Sequence, residues 1–126
     1  MDDKKLLDAT CRVAFSAYQH DLGKFAERAR LPVDEAKREH HEQMYCPRRE
    51  EGGRTWYTHK HAAYTVLAWD LIEQGFPELV GDDVSPFAAW GAIDVDDSII
   101  NAAGRHHRPE TFLQWIVATS DRVASG

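Results

Sequence analysis

Apolar side chains recur at helical spacing from the start of the chain. Leu7, Cys11, Ala14, Tyr18 and Phe25 share one face. They predict a helix from Lys4 to about Ala29, or one kinked at Gly23, ended by Pro32. From Leu31 to Tyr57 the period is lost. REHHEQMYCPRREEGGRTW is polar, carries Gly52-Gly53, and reads as a long loop with at most a short helical turn. Thr58 is the expected N-cap of a second helix, HKHAAYTVLAWDLIEQG. Ala63, Leu67 and Leu71 give it a buried stripe, and Gly75 and Pro77 stop it. GFPELVGDDVSPF is a second connection. DVDDSIINAAGRHH then predicts a short helix, acidic at its start and basic at its end, the polarity that suits a helix dipole. Pro109 is expected to open the last helix, PETFLQWIVATSDRVAS, at the favoured first position, with Leu113, Ile116, Val117 and Ser120 inward. No alternating strand pattern appears, so the expected class is all-α.

Composition bounds this picture without changing it. A chain of 126 residues, 43% hydrophobic and 29% charged, fits one soluble domain with a modest core. The N-terminus lacks the apolar run and cleavage site of a signal peptide. No apolar segment approaches the ~20 residues of a membrane span. A cytoplasmic location is therefore expected. Of the two cysteines, Cys11 sits in an apolar helical register and reads as core, while Cys46 lies in the polar loop and takes no role. Both are expected as free thiols.

Charge narrows the function classes. A formal net charge of −6 argues against a domain that grips nucleic acid through a broad basic surface. It leaves phosphodiester chemistry open, because bound divalent cations bring positive charge of their own.

The candidate chemistry lies in the histidines and two aspartates. His20-Asp21 interrupts an apolar helical pattern, where an unpartnered carboxylate is costly. The bland alternative is a helix-end Asp bonded to backbone, with His20 in solvent. Asp121 sits one turn beyond Val117 on the last helix, and a salt bridge to Arg122 or Arg105 would account for it alone. His106 and His107 extend two neighbouring faces of the short helix, where they can flank one cavity or simply meet the terminal carbonyls. Of His59 and His61, two residues apart, His61 is expected inside and His59 near the cap in solvent. His40-His41 reads as a solvated segment. Imidazole with carboxylate is the donor mix of Mn, Fe, Co, Ni or Zn sites. Such ions activate water and polarise phosphoryl oxygens. The two cysteines lack zinc-finger spacing.

The ordered series HD, H, HH, D, each member on its own expected helix, resembles the HD superfamily of metal-dependent phosphohydrolases. More narrowly, HDLGKF (20–25), THKHAAYT (58–65) and HHRPETFLQWIVATSDRVASG (106–126) resemble the N-terminal HD domain of the large, polymerase-like subunit of type III CRISPR effector complexes. The resemblance implies an HD-domain helical bundle, circularly permuted relative to other HD enzymes, spanning 1–126 as one domain of a larger subunit. The GGDD motif of the nucleotide-binding palm is absent from these residues, so cyclic oligoadenylate synthesis is not expected of them.

The implied activity is cleavage of single-stranded DNA, switched on when the complex pairs its guide RNA with target RNA. The implied metal ligands are His20 and Asp21, with His61, His106, His107 and Asp121 completing sites for one or two divalent transition ions (Mn, Ni, Co or Fe). Lys24, one turn after His20, would contact a phosphate or the developing charge; otherwise it is a solvated helix lysine. The implied partners are single-stranded DNA, the guide RNA and other subunits. Two alternatives stay open: a nucleotide or cyclic-nucleotide phosphohydrolase using the same ligands, and a non-catalytic docking module with Trp56, Trp69 or Trp90 at its interface.

Overall fold

The computed structural model describes residues 2–77 and 98–126, and the description below is confined to them. Trp90, most of the second connection and the acidic start of the short helix lie outside those residues. Six helices and one hairpin follow in chain order: α1 (Asp3–Gln19), α2 (Leu22–Arg28), α3 (Glu35–Tyr45), β1 (Arg48–Glu51), β2 (Arg54–Tyr57), α4 (His61–Gly75), α5 (Ile99–Gly104) and α6 (Phe112–Ser125). The fold is all-α apart from the small antiparallel pair. None of the helices described is long and apolar enough to cross a membrane.

The first helix breaks at His20–Asp21 rather than at Gly23. Gly23 serves a different purpose, close approach of α2 to α4. A Cβ there would lie 1.8 Å from the His61 carbonyl oxygen and 2.4 Å from the Thr65 nitrogen. Its N–H donates to Thr65 Oγ1 at 2.9 Å, and that hydroxyl donates to the His20 carbonyl at 2.8 Å. The break therefore leaves His20 and Asp21 anchored to α4.

The inward face of α1 differs from the apolar stripe. Leu7, Cys11, Tyr18 and Phe25 are exposed, whereas Ser16 and Gln19 are buried. Partnered polar groups occupy the contact instead, since burial of a polar group costs little once it is hydrogen-bonded. Ser16 Oγ donates to the Ile99 carbonyl at 3.2 Å, and Gln19 Oε1 accepts from the Trp69 indole.

The expected loop between 31 and 57 is instead an ordered helix and hairpin. Asp34 caps α3 by accepting from the Lys37 N–H at 3.0 Å, and Glu42 and Tyr45 turn inward. In the hairpin Arg48 pairs Tyr57, Arg49 pairs Trp56, Glu50 pairs Thr55 and Glu51 pairs Arg54. Gly52 and Gly53 have φ of +58° and +76°, the left-handed pair a tight two-residue hairpin turn requires. Both strands face solvent almost throughout, so neither carries alternating hydrophobicity. The cysteine roles are reversed: Cys11 is exposed, and Cys46 is buried in the core, where desolvation pushes its thiol up to about 11.

The central helix is α4, which packs against α2, α3 and α5. Ala62, Ala63, Val66, Leu67 and Trp69 are buried, while Leu71 reaches the surface. Thr58 does not cap it. Its N–H closes the base of the hairpin on the Pro47 carbonyl at 3.0 Å, and the helix begins after Lys60. The core joins Tyr45 and Cys46 of the α3 end to Ala62, Ala63, Val66, Trp69 and Ile100. Ser98 caps α5, its Oγ accepting from the Asn101 N–H at 3.1 Å. Thr111, not Pro109, begins α6 through a capping box with Gln114. That helix buries Gln114, Val117 and Ala118, and leaves Ser120 exposed.

Candidate metal centre

Four elements deliver imidazoles and carboxylates to one place. The α1–α2 break supplies His20 and Asp21, the first residue of α4 is His61, the turn after α5 supplies His106 and His107, and α6 supplies Asp121. His20 Nε2 lies 3.1 Å from Asp121 Oδ1 and 3.5 Å from Asp21 Oδ2. Asp21 Oδ1 lies 3.6 Å from His61 Nε2 and 3.9 Å from His106 Nε2. His61 Nε2 and His107 Nε2 are 3.0 Å apart. The donor atoms of His61, His106 and His107 lie within 4.8 Å of one another, as do those of His20, His106 and Asp121. His106 belongs to both sets.

Backbone carbonyls fix which nitrogen each ring offers. His106 Nδ1 donates to the Ala103 carbonyl at 2.6 Å, and His20 Nδ1 donates to the Ala17 carbonyl. A carbonyl only accepts, so Nδ1 carries the proton in both rings and the Nε2 lone pair faces the cluster. This is the outer support by which proteins orient metal-binding histidines. His106 is 2% exposed, and its Nε2 is buried with no hydrogen-bond partner among the described residues. A buried acceptor without a donor is costly, and a cation resolves that cost. The residues present therefore fit a divalent metal.

The protonation states agree. Burial pushes His106 down to about 4 and, aided by the neighbouring imidazoles of His106, His59 and His61, pushes His107 down to about 3. Burial also lowers His61. All three imidazoles are neutral near pH 7, the form that ligates. Desolvation alone would raise Asp21. The Lys24 ammonium, hydrogen-bonded 2.7 Å from Oδ2, leads the opposing effects and holds the carboxyl below its usual range.

A family model described as "Cas3, HD domain" matches residues 4–122. The chain belongs to that family. This Cas3-type HD domain is thus a CRISPR-associated nuclease or phosphohydrolase domain; HD domains generally bind divalent metals and act as metal-dependent hydrolases. No curated protein and no solved structure matches the chain.

Within the HD domain, His20, Asp21, His61, His106, His107 and Asp121 converge as a single cluster. Asp121 faces His20, whereas Arg105 pairs with Glu110 at 3.0 Å and Arg122 sits over the Trp115 ring. Lys24 adjoins the cluster through Asp21. His40 and His41 stay on α3 outside it, where His41 Nδ1 donates to the Lys37 carbonyl at 2.8 Å. His59 is exposed, as expected of a cap-side residue, yet its ring centroid is 4.0 Å from that of His107. Spacing along an assumed helix hid this, because His59 precedes α4 and has a left-handed φ of +55°.

Proposed function

We propose that this domain is the nuclease of a type III CRISPR effector's polymerase-like subunit, hydrolysing single-stranded DNA in the cytoplasm with Mn, Ni, Co or Fe. The observation that carries the reading is the buried, unpartnered Nε2 of His106, placed between Asp21 and the other imidazoles. His61, His106 and His107 form an imidazole group, and His20 and Asp121 a second group with the shared His106, beside which Asp21 lies 3.5 Å from His20. When bound, a divalent ion supplies Lewis-acid charge for activating water and polarising a phosphoryl oxygen. Lys24 keeps Asp21 ionised, and its half-exposed ammonium is the cationic side chain beside the carboxylate pair, suited to a phosphate oxygen. Because the net charge is −6, affinity for DNA rests on the metal charge, on Lys24 and on guide RNA and partner subunits.

Elemental analysis joined to a cleavage assay tests this. The purified chain is expected to hold a transition metal and to cut single-stranded DNA slowly. EDTA and His20→Ala should each abolish cutting. Unimpaired cleavage in EDTA would overturn the reading. Turnover of a nucleotide or cyclic-dinucleotide panel in place of DNA would assign the same site to a small-molecule phosphohydrolase.

A further inference from the structure

His59 lies outside the six residues of the metal centre but is built with unusual care. Its backbone is left-handed at φ +55°, a region that few non-glycine residues adopt and in which histidine is among the tolerated ones. Local contacts fix it there. Its carbonyl accepts from the Ala62 N–H at 3.0 Å and from the buried Cys46 thiol at 3.5 Å. Its ring Nδ1 lies 3.0 Å from Thr58 Oγ1, and Thr58 is fastened in turn to the hairpin base at Pro47. This clamp presents the ring to His107, with centroids 4.0 Å apart and planes tilted by 36°, and to His61 at 6.0 Å.

His107 needs such a neighbour. The rings of His20 and His106 are oriented by Nδ1–H bonds to helix carbonyls. Among the described residues His107 has no such tether, and its ring packs on the imidazoles of His59, His61 and His106. We infer that His59 is a positioning residue of the metal centre, holding the His107 imidazole against His61 by ring contact, with the Cys46–Thr58 clamp keeping His59 in place. This rests on the metal-centre reading above.

Two variants of the full chain test it. His59→Asn removes the ring while keeping a residue that tolerates the left-handed region, so the fold should persist. Thr58→Val removes the hydroxyl beside Nδ1 with little change of shape. Cobalt(II) titration followed by visible absorption reads both affinity and ligand field. His59→Asn should weaken cobalt binding by roughly 10-fold or more, the range for lost outer-shell support, and alter the absorption bands. Thr58→Val should move both readouts in the same direction by less. Binding and spectrum unchanged in His59→Asn, with the unmodified chain loading normally, would overturn the role of His59 alone. An unmodified chain that takes up no cobalt would overturn the metal centre itself, and this inference with it.

Discussion

The two halves of the donor cluster are made differently. One half, His20 with Asp21 and Asp121, carries carboxylates, lies at the α1–α2 break and α6, and keeps partial contact with solvent through Asp21 and Lys24. The other, His61, His106 and His107, is imidazole throughout and largely desolvated. In the first half Asp21 stays ionised, because the Lys24 ammonium sits close enough to hold it so. In the second, burial removes charge and leaves lone pairs. The contrast is one of charge: the first half offers carboxylates together with the His20 imidazole, the second imidazoles alone. His106, shared between the two donor sets, and Asp21, whose Oδ1 reaches toward His61 and His106, join them.

The sharpest way to break this division is to remove the charge at the join. Asp21→Asn keeps the shape but gives up the carboxylate that faces His20, His61 and His106. Metal-dependent cleavage should fall by more than about 100-fold, beyond the range for losing outer-shell support alone, and cobalt or manganese affinity should fall with it. A loss below about 10-fold would show that the imidazole half suffices.

Next in size is the spacing between halves, set by the contact of Gly23 with α4. Two effects oppose each other in Gly23→Ala. Helix propensity favours alanine by about 1 kcal/mol. Against it, a Cβ placed 1.8 Å from one backbone atom and 2.4 Å from another cannot be relieved by moving a side chain. Overpacking of this kind costs about 3 kcal/mol or more, so a net loss of roughly 2 kcal/mol or more is expected in urea denaturation. Metal content should fall in parallel, since the shift separates Asp21 from His61. A stabilised Gly23→Ala would remove the argument that this contact fixes the site.

The sequence made the cluster legible because its chemistry is written in residue type. The His-Asp pair, the adjacent histidine pair and the final Asp mark a donor set by residue type alone, although the apolar stripe around His20-Asp21 lies on the outside. The supporting structure was less legible. Ser16 and Gln19 replace Leu7 and Tyr18 as the inward face of α1 because their partners, Ile99 and Trp69, lie more than forty residues away in the chain. The hairpin escaped because it is exposed on both faces, so burial imposes no period on it; only Gly52-Gly53 marks it. The reversed cysteines follow from the same error, since Cys11 lies on the stripe that proved to be outside. His59 is exposed as its cap-side position implies, but its contact with His107 is hidden from the spacing because α4 begins two residues later.

The smallest expected effect distinguishes the halves by proton linkage in the metal-free protein. Unfolded imidazoles bind protons below about 6.5, whereas folded His106 and His107 stay neutral down to about 4 and 3. The unfolded chain therefore holds more protons across that window, and stability must fall as pH drops through it. Against His106 stand His20, His61 and Asp21, and against His107 stand His59, His61, His106 and Asp121. The imidazoles among these disfavour a charged ring, and the carboxylates only partly offset them. The carboxylate half acts later: Asp21, held below 3.8, withdraws its contribution only beneath that value. Thermal melts at closely spaced pH should thus decline from about pH 6.5 downward, and His107→Gln should flatten that decline without moving the steeper acid limb. A flat profile between pH 6.5 and 4 would show that the imidazole half is hydrated rather than dry, and the division between the halves would fail.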